Sequence, residues 1–192
     1  RNGVITPRIE GFGGDDNPIL KIGKKNLTHT NYIESDDSLP TPFELGVNIA
    51  KFQLAMKNFP LKLPPNWLHP TYWDNLRFKE DELESSNLIR NNLNESRIIL
   101  SNLNRPKTVI HGDLNLGNVL TMNGKIIATL DLESTEKNFR ILDIGMTIFQ
   151  VKPSYNNLSY TQLAKEITEG YESLLSLNGK EKSQIPTATL YA

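Results

Sequence analysis

The sequence contains no cysteine among its 192 residues. Disulfide frameworks, thiolate metal sites and cysteine nucleophiles are thereby excluded, and the cytoplasm is the expected compartment. An excess of charge is lacking too: 21 Lys and Arg stand against 22 Asp and Glu, a formal net charge of -1. Such a balance argues against nucleic acid or an anionic membrane surface as a partner. No apolar run approaches the roughly 20 residues of a membrane-spanning helix, and nothing reads as a signal peptide. Histidine is scarce, and neither His29 nor His69 has companions at metal-ligand spacing, so a zinc site is not expected. There are no internal repeats and no low-complexity tract. The length suits one domain with a real core, or one large and one small lobe. The chain opens at Arg1 rather than Met, and "RNGVITPRIEGFGG" supplies no opening element, so a fragment is expected.

Several local signals place secondary structure. Ile19–Ile22 and Leu27–Ile33 read as two strands around a "GKKN" turn, since Thr, Tyr and Ile favour strand and Gly23 and Asn26 favour the turn. The polar, proline-bearing "SDDSLPTP" reads as a connection between lobes. Thr41 as N-cap, Pro42 at the first helical position and Glu44 completing a capping box open a helix. Its apolar stripe is Leu45, Ile49, Phe52 and Met56. A proline-rich loop with His69, Trp67 and Trp73 stops it, and a second helix is expected over about 81–103. "KTVI" is a short strand. Val119–Met122 and Ile126–Leu132 form a hairpin around Asn123-Gly124, the strongest short hairpin signal. Ile141–Val151 reads as helix. Ser159 and Gln162 form a second capping box for a helix running to Leu177, with Gly179 beyond its end.

The chemistry concentrates in "VIHGDLNLGNVL", residues 109–120. A loop before a hairpin is held by rigid strands and reached by solvent. Asp113 and Asn118 are five residues apart, and Asp131 follows Asn118 by 13 residues, at the far end of the hairpin. The hairpin folds back, so Asp131 returns close to Asn118. Two carboxylates and a carboxamide then offer hard oxygen ligands, the kind that suit Mg²⁺ bridging phosphates. The protein-kinase catalytic loop uses the same spacing, H-R-D-x-x-x-x-N with a later Asp. There the first Asp accepts or orients the proton of an attacking hydroxyl, and the Asn and second Asp hold metal. Positioning and charge stabilisation carry phosphoryl transfer.

Here the Arg of that loop is replaced by Gly112. Together, "HGDLNLGNVL", "IIATLDLES", "RILDIG" and the helix "TPFELGVNIAKFQLAMKNFP" resemble the aminoglycoside phosphotransferase and choline kinase superfamily, closest to its homoserine kinase-like branch. The resemblance spans roughly Ile19 to Gln150. It implies an α+β, protein-kinase-like two-lobed fold: residues 1–40 as a remnant of the N-terminal lobe and hinge, and residues 41–192 as the helical catalytic lobe. It further implies an ATP- and Mg²⁺-dependent phosphotransferase acting on a hydroxyl of a small polar molecule such as an amino alcohol, amino acid or aminoglycoside. Asp113 is then the catalytic base, and Asn118 and Asp131 hold Mg²⁺. Leu120 and Leu130 form the floor and back of the adenine pocket. Tyr32 and Ile33 lie at the hinge that hydrogen-bonds adenine, and Asp143 braces the catalytic loop. The family's glycine-rich loop, strand Lys and helix Glu have no counterpart in the sequence, and Gln53 stands where relatives often have His. The N-terminal lobe is therefore expected to be incomplete. The competing reading is a non-catalytic kinase-like interaction module.

Plainer readings stand beside several of these residues. His111 is expected to be a satisfied loop histidine rather than a base. Trp67, Tyr72 and Trp73 are expected to pack their loop rather than bind a cation. Glu133 reads equally as a solvated strand-end carboxylate. "KEDELE" reads as a solvated helix face, and "GFGG" as a flexible turn, since no Lys-Ser/Thr follows it.

Overall fold

The computed structural model describes residues 6, 9–10, 19–22, 25–58, 91 and 107–191. The "GFGG" turn, the Trp67–Trp73 loop with His69, the "KEDELE" run and all but Asn91 of the expected 81–103 helix lie outside the described residues.

Three strands, β1 (Ile9–Glu10), β2 (Ile19–Ile22) and β3 (Lys25–Thr30), form an antiparallel sheet in the order β1-β3-β2. Strand β3 is shifted from the expected Leu27–Ile33. It ends at Thr30, and residues 31–41 run on as the irregular connection foreseen for "SDDSLPTP". That connection is pinned to a turn far along the chain. Asp36 donates its N–H to the Thr121 carbonyl at 2.9 Å, its carboxylate accepts from the Asn123 N–H at 2.8 Å, and Ser38 Oγ accepts from the Gly124 N–H at 2.6 Å.

Helix α1 (Pro42–Met56) begins as read: Thr41 Oγ1 accepts from the Glu44 N–H at 3.1 Å, the forward half of the capping box, and Pro42 occupies the first turn. Leu45, Ile49 and Phe52 are buried, while Met56 is only half-buried because the helix leaves the core there. Strand β4 (Thr108–Ile110) pairs antiparallel with β7 (Glu136–Asn138), a strand the sequence reading missed. Between them lies the hairpin of β5 (Val119–Met122) and β6 (Lys125–Thr129). Asn123 (φ 51°) and Gly124 (φ 73°) are both left-handed, the geometry that an Asn-Gly hairpin turn requires. Strand β6 stops before the expected Leu132. Asp131 turns left-handed (φ 53°, ψ 74°) and a 3-10 turn, Leu132–Ser134, follows.

The rest is helical: α2 (Ile141–Val151), α3 (Tyr160–Glu172), α4 (Gly179–Ser183) and α5 (Ile185–Tyr191). Helix α2 has the bounds expected. Both halves of the Ser159–Gln162 capping box are made, at 2.9 and 3.2 Å. Helix α3, however, ends at Glu172 rather than Leu177, and Gly179 opens the next helix rather than following the last. Asn178 decides this: its Oδ1 caps the N–H groups of Lys180 and Glu181, while Glu181 returns to the Asn178 N–H. The cap places Gly179 at the first position of a new helix, while the N–H groups of Leu174 and Leu175 both turn to the Tyr171 carbonyl as the earlier helix closes.

Helices α1 and α3 cross at two glycines. A Cβ on Gly46 would lie 1.9 Å from the Ile167 carbonyl oxygen, and one on Gly170 would lie 2.0 Å from that of Phe43. Backbones this close allow the buried side chains of both helices, among them Leu45, Ile49, Leu163 and Ile167, to join one core with Ile144 and Ile148 of α2. Strand β4 feeds its last residues into that core, so the segment after Ile110 starts from a rigid base.

Candidate active site

The loop from His111 to Asn118 is held from beneath by buried groups. Asp143, in the first turn of α2, is fully buried. Its carboxylate accepts from the Gly112 N–H at 2.9 Å, the His111 N–H at 3.1 Å and Gln53 Nε2 at 2.9 Å. Burial pushes the Asp143 carboxyl above its ordinary value, and the bonds from Gly112 and Gln53 hold it back. Gly112 has φ 80°, a left-handed conformation that glycine adopts without strain. Thr147, also on α2, donates to the Leu114 carbonyl at 2.9 Å.

His111 is wholly buried and both its nitrogens are engaged. Nε2 lies 2.9 Å from the Leu130 carbonyl, which can only accept, so Nε2 carries the proton. Nδ1 then accepts from the Asp113 N–H at 3.3 Å. The ring ties the loop to the end of the hairpin and has no nitrogen left for proton transfer, as expected of a satisfied loop histidine.

Asp113 is half-buried and stands at the centre of a ring of carboxamides. Asn118 Nδ2 lies 3.2 Å from one carboxylate oxygen, and 2.8 Å from the Asp113 carbonyl. Asn115 Nδ2 and Gln150 Nε2 reach the other oxygen at 3.2 and 2.8 Å. Asn115 also caps the short 3-10 turn Leu116–Asn118 through the Gly117 N–H at 2.8 Å. The Leu130 N–H donates to the Asn118 carbonyl at 2.8 Å, so the hairpin brings Asp131 one residue from Asn118's partner. Asn118 thus touches Asp113 with its side chain and the end of the hairpin with its carbonyl. Leu120 and Leu130 are half-buried. In the connection after β3, Ile33 is half-buried and Tyr32 is 86% exposed. Glu133 is exposed.

The donor set fits a divalent cation. Asn118 turns its N–H groups to Asp113, which leaves Oδ1 as the free atom, and exposed Asp131 makes no side-chain hydrogen bond among the described residues. No cluster of three or more His, Cys, Asp or Glu side chains suited to a metal occurs among the described residues. Two oxygen ligands alone suit a cation that shares its coordination with phosphate and water.

A model of the phosphotransferase enzyme family matches residues 27–174. The chain belongs to this family. No curated protein matches it. Its fold is that of solved kinases of small molecules. The amicoumacin kinase hAmiN, in complex with AMP-PNP, Ca²⁺ and Ami, superposes with a TM-score of 0.76 at 14% identity, covering 98% of this chain and 62% of that one. A microcompartment-associated aminopropanol kinase gives 0.72 at 16% identity, with 98% and 65% covered. An aminoglycoside phosphotransferase from Streptomyces rimosus, in complex with ADP and streptomycin, gives 0.62 at 12% identity, with 100% and 77% covered. The chain thus spans under two thirds of the length of the first two. The α+β kinase-like fold expected from the motif is the fold observed. No helix among the described residues is long and apolar enough to cross a membrane.

Three contributors went unread in the sequence. Gln150 and Asn115 touch the Asp113 carboxylate, and Tyr171 supports Gln53 with a hydrogen bond to Oε1 at 2.8 Å. Asn115 carries a local signal, a side chain two residues before a glycine at a turn. Gln150 and Tyr171 carry none, because only the placement of α2 and α3 brings them in. An open groove of about 880 Å³ between α2, α3 and α5, lined by residues such as Phe149, Tyr160 and Leu190, contains none of the loop residues.

Proposed function

We propose that the chain is the catalytic part of an ATP- and Mg²⁺-dependent phosphotransferase that phosphorylates a hydroxyl of a small polar molecule, an amino alcohol, amino acid or aminoglycoside. Residues 41–192 form the catalytic lobe, and residues 1–40 belong to the N-terminal lobe and hinge. The reaction belongs to the cytoplasm. The observation that supports this reading is the hydrogen bond of Asn118 to the Asp113 carboxylate, with Leu130, the residue before Asp131, bonded to the Asn118 carbonyl.

Asp113 accepts the proton of the attacking hydroxyl. The new bond joins that oxygen to the γ-phosphorus as the bond to the ADP oxygen breaks. Asn118 Oδ1 and the Asp131 carboxylate would hold Mg²⁺, which would neutralise charge on the transferred phosphoryl group. Leu120 and Leu130 would lie under the adenine, and the backbone at Tyr32 and Ile33 would hydrogen-bond its edge. The bound nucleotides of two similar structures, AMP-PNP with Ca²⁺ and ADP, support this reading.

The test is phosphotransfer from Mg²⁺·ATP by the full-length protein to pooled amino alcohols, homoserine, choline and aminoglycosides. Transfer to one pool, reduced at least about a hundred-fold in Asp113→Ala with its fold intact, is the expected result. Undiminished transfer by the variant would remove Asp113 from its role.

A further inference from the structure

Helix α2 has 11 residues, and three of them carry polar side chains: Asp143, Thr147 and Gln150. They are spaced four and three apart, so they form one stripe along the helix. Each touches the catalytic loop. Asp143 accepts from the His111 and Gly112 N–H groups, and Thr147 donates to the Leu114 carbonyl, so both hold backbone. Gln150 reaches a side chain instead, with Nε2 2.8 Å from Asp113 Oδ1. The carboxamides of Asn115 and Asn118 belong to the loop and fix the Asp113 carboxylate to the loop itself. Gln150 fixes it to a helix whose apolar residues are part of the core.

These bonds divide the two carboxylate oxygens. Each oxygen has two lone pairs. Oδ1 receives Asn115 Nδ2 at 3.2 Å and Gln150 Nε2 at 2.8 Å, and both its positions are taken. Among the described residues Oδ2 receives Asn118 Nδ2 alone, at 3.2 Å, and keeps one position open. The rest of the Gln150 carboxamide is poorly served. Nε2 otherwise meets Met146 Sδ, a weak acceptor, at 3.2 Å. Oε1 is buried with no hydrogen-bond partner among the described residues. Exchanging the two atoms would set an amide oxygen against the carboxylate, so charge decides the assignment. A buried acceptor left unpaired costs stability, and an apolar side chain of the same length would avoid that cost. Packing therefore does not account for a glutamine at this position, and the bond to Asp113 does.

We propose that Gln150 is a positioning residue for phosphoryl transfer: its N–H fixes the Asp113 carboxylate so that Oδ2 faces the attacking hydroxyl and takes its proton. This rests on the phosphotransferase reading and adds to it the reacting atom and the residue that selects it. The hydroxyl proton passes to Oδ2 as the hydroxyl oxygen bonds to the γ-phosphorus and the bond to the ADP oxygen breaks. Without Gln150 the carboxylate turns about its last torsion and the two oxygens exchange, so the productive arrangement is held for less of the time.

The experiment compares the full-length wild type with Gln150→Met and Gln150→Leu, using Mg²⁺·ATP and the acceptor pool that the wild type phosphorylates. Single-turnover transfer reads the chemical step, calorimetry reads Mg²⁺·ATP binding, and thermal unfolding reads the fold. Transfer is expected to slow roughly ten- to a hundred-fold in both variants. Nucleotide affinity should stay that of the wild type, and the melting temperature should not fall, since no oxygen is then stranded. A residue that merely supports the fold would lower melting temperature and rate together. Transfer at the wild-type rate in either variant, or slowing accompanied by a lower melting temperature or lost nucleotide affinity, overturns the inference. The phosphotransferase reading then stands as long as Asp113→Ala abolishes transfer. No transfer by the wild type to any pool overturns both.

Discussion

Gln53 and Asp143 are 90 residues apart in sequence, and the buried amide of the first donates to the buried carboxylate of the second at 2.9 Å. The same Nε2 reaches the Arg140 carbonyl at 3.1 Å, and Oε1 accepts from the Tyr171 hydroxyl. One glutamine thus links α1, α2 and α3 beneath the catalytic loop. Where a histidine is expected from relatives, this chain uses a side chain with a donor and an acceptor at once, and each meets its complement.

Gln53→Leu leaves the Tyr171 hydroxyl without its acceptor and takes one donor from Asp143. Burial already pushes the Tyr171 phenol well above its ordinary range, so that group stays neutral and needs a partner. A loss of about 1–3 kcal/mol per stranded group is expected in urea unfolding. Tyr171→Phe removes the other half of the pair. The double variant Gln53→Leu/Tyr171→Phe should then lose less than the sum of the singles, by about 0.5–3 kcal/mol. Strict additivity would show the contact to be energetically idle.

Asp131→Ala is expected to weaken binding of Mg²⁺·ATP at least about ten-fold while costing at most about 1 kcal/mol in urea unfolding. The residue is exposed and its side chain makes no hydrogen bond among the described residues, so the small loss comes from its left-handed backbone, which aspartate tolerates better than alanine. Calorimetric titration with nucleotide, with and without Mg²⁺, reads the effect. Equal affinity in variant and wild type would exclude Asp131 from the metal.

Gly46→Ala is expected to cost more than about 3 kcal/mol, or to prevent folding, because its Cβ would lie 1.9 Å from a backbone oxygen that no rotamer change can move. Gly179→Ala is the control, since nothing stands within 4 Å of its Cβ. Thermal unfolding of the two variants should separate them clearly. A tolerated Gly46→Ala would mean that the backbones of α1 and α3 do not approach this closely at Gly46.

The connection at residues 31–41 should loosen with acid. The hydrogen bond from the Ser38 hydroxyl, then those from the Asn123 and Ser38 N–H groups, hold the Asp36 carboxyl below its ordinary value. A lowered folded value contributes stability above the ordinary carboxylate range, and that contribution disappears as pH falls through the folded value. Asp36→Asn should therefore speed hydrogen exchange at the Asn123 and Gly124 amides near neutral pH, and this difference from the wild type should close in acid. A difference that persists in acid would place the restraint elsewhere.

Local chemistry made much of the catalytic loop legible. The hairpin around Asn123-Gly124, the caps at Thr41 and Ser159, and the spacing of Asp113, Asn118 and Asp131 are set by neighbours in sequence. Backbone conformation and strand register propagate such signals over a few residues at a time. The errors fall where that reach ends. Strand β7 has three residues and too little alternation to be read alone; it exists because β4 lies alongside it. Gly179 opens a helix rather than ending one because Asn178 acts as a cap only once Glu181 closes its capping box.

The sequence by itself determined the family resemblance, the order of the elements and the reactive loop, because these depend on residue type and short-range spacing. Only the tertiary structure decided what surrounds Asp113. Gln150 arrives from 37 residues away, and Gln53 and Tyr171 meet across 118. Contacts of that kind follow from how helices pack, here from glycines that let two backbones touch, and no periodicity in the chain announces them.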